Sequence, residues 1–166
     1  MFTRTALTTG MGVIVAATGL LLVSAPRESA AKPPTFGCDF EAVRKAKAPQ
    51  SASLSGLTRD SMTPIPLNSV QIIDKRMLHR VLVQGLFARR TETDTIEVIA
   101  RIANCTDYPL QLEGRTAFQD EAQIPSEPVS AWQRLFLAPK SLTVYRELST
   151  GTSQVSTFLV ELREGT

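Results

Sequence analysis

The chain has 166 residues and a formal charge of +2, with 18 basic and 16 acidic side chains, one histidine and two cysteines. That length holds one domain plus an extension. The charges are mixed along the chain and form no basic stripe, which argues against a nucleic-acid partner.

Arg4 precedes an apolar run from Met11 to Val23, and small residues follow up to Ala31. A positive start, a short apolar run and a small-residue cleavage site predict a secretory signal peptide over residues 1–31, cut after Ala31. The run is short of the ~18 apolar residues that span a bilayer, so a retained anchor is the secondary expectation. Cys38 follows the bulky Phe36 at a distance from the run, which argues against lipidation. The expected product is an exported protein, periplasmic or secreted, that meets the membrane only if the signal segment is kept.

Residues 32–68 carry Pro33, Pro34, Pro49, Pro64 and Pro66 and a low-bulk stretch from Ser51 to Gly56. That composition predicts an extended, poorly ordered tether. Only Phe40–Lys47 has the makings of two helical turns, ended by Pro49.

The globular domain is expected over residues 69–166. Val70–Ile73 predicts a short strand, Asp74–Leu78 a turn or one helical turn, and Val81–Ala88 the next strand, followed by a polar hairpin loop over Arg89–Asp94. In the next strand Ile96, Val98, Ala100 and Ile102 alternate with Glu97, Ile99 and Arg101, a period of two that marks a strand with one buried face. After the break at Asn104–Pro109 the alternation resumes, with Leu110, Leu112, Thr116 and Phe118 against Gln111, Glu113, Arg115 and Gln119. A long connection over Glu121–Val129 suits a crossing between sheets. Ser130–Leu137, Leu142–Leu148 and Thr157–Arg163 complete seven strands. Two apolar sheet faces must cover each other, so the prediction is an all-β, immunoglobulin-like antiparallel sandwich.

The runs Asn104–Leu110 (NCTDYPL), Arg115–Asp120 (RTAFQD) and Ser130–Lys140 (SAWQRLFLAPK), with Tyr145, resemble the YcfL-like family. Its members are small bacterial envelope proteins of uncharacterised function with an immunoglobulin-like domain. The resemblance covers about Val70 to Glu164 and implies a fold; the family brings no catalytic residues to carry over. Many members are lipoproteins, and this chain departs from them at the position where lipid would attach.

Few residues of the chain are of a type and spacing that carry chemistry. His79 stands beside Arg80 with no nucleophile or orienting acid in sequence reach, and reads as a surface histidine at a strand end. One histidine and two distant cysteines do not make a zinc site. Asp107, Asp120 and Glu121 lie in turns without the D-x-D-x-D-G spacing of a calcium loop. No glycine-rich nucleotide cradle occurs. Asn104-Cys105-Thr106 fits the glycosylation pattern, which matters only in a host that glycosylates. No catalytic residue, metal or cofactor is therefore expected.

Cys38 and Cys105 are a candidate disulfide; in an oxidising compartment an even count permits one bridge, and the other reading leaves Cys105 buried and Cys38 a loose thiol. Trp132 has two readings as well. It fills the core at the corner after the long connection, or it stands exposed with Tyr108 and Phe136 as the anchor of a partner-binding surface. The expected function is a non-enzymatic envelope module that binds another envelope protein through a sheet edge or loops. The alternative is an accessory domain or weak enzyme acting on envelope polymers through loop carboxylates.

Overall fold

The structure, a computed structural model, describes residues 37–41, 47–59, 61–151 and 155–166. The expected signal peptide and its cleavage site lie outside these residues, as does most of the expected Phe40–Lys47 helix.

The alternating sequences form strands as predicted. β3 (Val70–Ile72), β4 (Val81–Arg90), β5 (Ile96–Asn104), β6 (Leu110–Gln119), β7 (Gln133–Leu137), β8 (Leu142–Leu148) and β9 (Thr157–Glu164) are the seven anticipated. Two further strands, β1 (Ala52–Ser53) and β2 (Thr63–Pro64), come from the stretch expected to be a tether. The Asp74–Leu78 turn is a 3-10 helix over Lys75–Met77, capped by the Asp74 carboxylate, which accepts from the Arg76 amide at 3.0 Å.

These strands form two sheets of an immunoglobulin-like all-β sandwich. Sheet A runs β1-β9-β6-β7, with β3 also paired to β9, and sheet B runs β2-β4-β5-β8. All pairings are antiparallel except β3 with β9. Ile96, Val98, Ala100 and Ile102 from sheet B meet Leu112, Phe118, Val160 and Leu162 from sheet A in one buried core. The alternation thus selects the inward set in both central strands, because a slip of one residue would have buried Arg101 and Arg115 instead.

The domain begins earlier than Ser69. Ala52, Leu54 and Ile65 are buried in the core, β1 pairs with β9, and β2 pairs with β4. Low bulk concealed a short alternation, in which Ala52 and Leu54 point inward and Ser53 outward. The prolines did not forbid a strand either. β2 is an edge of sheet B, and an edge position tolerates a residue that cannot donate to a ladder.

Cys38 and Cys105 are bonded, with their Cα atoms 5.8 Å apart. Cys105 follows β5 in the same parity as Ala103, on the outer face of sheet B. The bond therefore pins the strap Gly37–Glu41 at that end of the face. Gln84, the extra residue at the β4 bulge, donates to the Gly37 carbonyl at 2.6 Å, and Phe40 meets His79 edge-on with ring centres 6.2 Å apart. Leu82 and Ala103 are buried at this end yet do not belong to the core between the sheets.

Candidate partner-binding surface

The outward positions of the two sheets share one device. In sheet A the central strand β6 presents Glu113, flanked by Arg134 of β7 and Arg163 of β9, its direct cross-strand partners. Arg163 Nη2 lies 2.6 Å from one carboxylate oxygen and Arg134 Nη2 lies 3.2 Å from the other. In sheet B the central strand β5 presents Glu97, which accepts from Arg89 Nε of β4 at 2.6 Å and from Arg146 Nε of β8.

The alternation placed both glutamates correctly on outer faces, but not in water. The arginines lie over them, so Glu97 and Glu113 are buried while the guanidiniums keep their solvent. The Arg163 hydrogen bond holds the Glu113 carboxyl below its ordinary value against the opposing effect of burial, with Arg134 helping. Burial pushes the Glu97 carboxyl up, but the bonds from Arg89 and Arg146 outweigh it and the net shift is downward.

Trp132 is neither in the core nor a free anchor. Its ring lies over sheet A with the guanidinium carbons of Arg163 and Arg115 at 4.0 and 4.4 Å from its centroid. Arg115 in turn pairs with Glu161 at 2.6 Å. Cation–π contact with two arginines explains the half-burial, because the arginines that restrain the carboxylates also pack on the indole. Phe136 and Tyr108 do stand exposed, at 72% and 48%. Phe136 projects from β7 between the buried Leu135 and Leu137 and pairs with Gln111 of β6, three residues from Tyr108. Of the expected trio, the structure exposes these two at the same end of the β6–β7 ladder and gives Trp132 a packing role near the other.

Asn104 is the residue whose part the sequence most disguised. Its carboxamide is buried. Nδ2 donates to the carbonyls of Tyr108 and Ala138 at 2.8 and 2.9 Å, and Oδ1 accepts from the Thr106 amide and hydroxyl at 2.9 and 2.7 Å. The side chain thus staples the β5–β6 crossing to the β7–β8 crossing, and an Nδ2 so engaged has no room for a glycan. An asparagine opening the turn Asn104–Pro109 was the available signal, because its short carboxamide bonds to nearby backbone.

The acids weighed for chemistry are loop formers. Asp120 Oδ1 accepts from the amides of Ala122 and Ile124, both at 2.9 Å, and Asp107 pairs with Lys140 at 3.4 Å. A shallow open groove lined by Ser53, Leu54, Arg90, Glu121 and Thr157 contains one carboxylate. Among the described residues no group of three histidines, cysteines or acids could hold a metal, and no helix is long and apolar enough to cross a membrane.

No family model matches the chain and no curated protein matches it. Two solved structures are similar in fold. Campylobacter jejuni cj0090 aligns with a TM-score of 0.49 at 13% identity, covering 58% of this chain and 98% of that one. A DUF1425 family member from Shewanella sp. pv-4 aligns with a TM-score of 0.46 at 18% identity, covering 68% and 98%.

Proposed function

We propose that the protein is a non-enzymatic, exported envelope module that binds another envelope protein along the open flank of its sandwich, and that it belongs with the YcfL-like proteins. Family and compartment rest on the sequence: the motifs around Asn104, Phe118 and Trp132, and the signal-like first 31 residues. The binding role rests on one observation. Phe136, a large aromatic 72% exposed, sits on an edge strand whose outer side has no partner among the described residues. Exposed aromatics on a rigid strand are what interface hot spots are made of, and an open edge supplies backbone groups for an extended partner. The enzymatic alternative would need two converging acids, and the groove has Glu121 alone.

A photo-crosslinking residue at position 136, expressed in the native host, tests the proposal. A discrete adduct is expected from position 136 and not from the exposed control position 59, and Tyr108→Ala should weaken it. No adduct, or the same adducts from both positions, would refute the binding role.

A further inference from the structure

The register of sheet B sorts its outer face into rows: Arg89–Glu97–Leu148, Phe87–Ile99–Arg146, Gly85–Arg101–Val144 and Leu82–Ala103–Leu142. The last row lies at the strap's end, and in the other rows Val144, Arg146 and Leu148 stand exposed. Their charges do not balance. Arg89 and Arg146 share Glu97, and Arg101 has no ion pair among the described residues, so three guanidiniums face one buried carboxylate.

β8 borders this face and, among the described residues, pairs only with β5. It is seven residues long, whereas the other free edges are weaker templates. β7 has five residues, and Pro125 and Pro128 interrupt the stretch before it. β2 has two residues and ends in Pro64. Exposed edges are commonly blunted by lysine, proline, bulges or inward charge. β8 has no lysine, proline or bulge, and its one inward acid, Glu147, accepts from the Tyr145 hydroxyl at 3.2 Å. Beyond Leu142 at the strap's end, its outward side chains are Val144, 53% exposed, Leu148, 44% exposed, and between them Arg146. Arg146 uses Nε to hold Glu97, and its side chain is otherwise 59% exposed.

We propose that the free side of β8 accepts an extended segment of the partner protein as a fifth strand of sheet B, and that the segment reads apolar–x–acidic–x–apolar on its outward face. The proposal rests on the binding-module reading and adds the edge and the chemistry of the partner. Backbone groups of β8 supply the ladder. Val144 and Leu148 take the two apolar side chains, and the outward part of Arg146 takes the acid, with Arg101 adding to the positive potential. The pattern is palindromic, so either strand polarity presents the same face.

Three seven-residue probes test it, each with threonine at the alternate positions and capped ends. One carries valine, glutamate and valine at the outward positions. The second has lysine for glutamate, and the third is the first with its ladder amides N-methylated. The glutamate peptide should bind the full-length protein, with the lysine peptide at least about tenfold weaker, as expected when a charge pair is reversed. N-methylation should abolish binding. Arg146→Gln should remove the preference for glutamate over lysine while cooperative unfolding persists, and Val144→Glu should weaken the glutamate peptide. Equal binding of the first two peptides, indifference to N-methylation, or no binding at all would overturn the assignment. So would binding of phosphatidylglycerol vesicles by the same arginines in place of the peptide. The crosslink from position 136 separates the outcomes: an adduct there with silent peptides refutes only the β8 site, and failure of both refutes the module.

Discussion

The hydroxyl of Tyr145 on β8 lies 2.8 Å from Oγ1 of Thr116 on β6, a hydrogen bond that joins the two sheets through the middle of the core. Tyr145 is fully buried, and its ring occupies the space over Gly114, where a Cβ would come within 2.9 Å of the ring. Burial pushes the phenol's pKa up, so it is a neutral hydrogen-bonding group throughout the working range.

Tyr145→Phe should therefore cost about 1–2 kcal/mol, since it leaves the buried Thr116 hydroxyl without that partner. Gly114→Ala should cost about 1–3 kcal/mol by overpacking against a ring that cannot retreat. Urea titrations of both variants check the pair. Losses below about 0.5 kcal/mol in each would mean that the ring does not sit on Gly114.

The strand register makes a second prediction. Val98→Ala and Leu112→Ala should each cost about 2–4 kcal/mol, because both side chains are fully buried in the shared core. Arg101→Ala, on the outer face of the same strand, should cost under about 0.5 kcal/mol. Equal losses in all three denaturant melts would contradict the register.

The fold was legible because period two is a strong signal wherever one face is buried, as in Ile96–Ile102 and Leu110–Phe118. It failed where an alternation was too short to see, at Ala52 and Leu54, and where a proline suggested disorder but stood on an edge, at Pro64. Parity also fixed the face of Glu97 and Glu113 without fixing their burial. Two flanking arginines covering a carboxylate is a relation among three strands, and no local window contains it. The same limit hid the place of Trp132, whose neighbours Arg115 and Arg163 come from β6 and β9. The cysteines were legible as a possible pair, and only the fold brings residues 67 apart in sequence together.

Acid stability should follow from the two clamps. Both glutamates are held below the ordinary carboxylate value, so their contribution is complete above the unfolded value of about 4.3. It is lost as pH falls through their lower folded values, because the unfolded chain then binds protons more readily. Stability should be flat from pH 7 to 5 and fall below about 4.3. The double variant Glu97→Gln, Glu113→Gln should be less stable at pH 7 and show a shallower fall. Urea melts at pH 7, 5 and 3 decide it, and an unchanged acid slope in the double variant would show that other groups control it.

The N-terminal boundary is testable by truncation. A chain beginning at Ser69 lacks Ala52, Leu54 and Ile65 and leaves Thr157 and Phe158 of β9 without their β1 partners, so it should lose cooperative unfolding or most of its stability. A chain beginning at Lys47 should keep the core. Equal thermal transitions would return the first strands to the status of a tether.

Reduction of Cys38–Cys105 should lower stability without dissolving the sandwich. A bridge between residues 67 apart restricts the unfolded chain by about 4.4 kcal/mol on the loop-entropy scale. Thermal melts with and without a dithiol reductant should show a lower midpoint and one transition, and an unchanged midpoint would mean that the bridge constrains nothing.

β9 bonds to β1, β3 and β6, so one strand near the end of the chain completes sheet A for three partners that precede it. During synthesis β1 and β3 wait without a ladder until residues 157–164 emerge. The β4–β5 and β6–β7 pairs, each made of strands adjacent in sequence, can form earlier. Such non-local closure slows folding. Sheet A therefore closes across the whole span from Ala52 to Glu164, and its completion waits on the pairing of strands farthest apart in sequence.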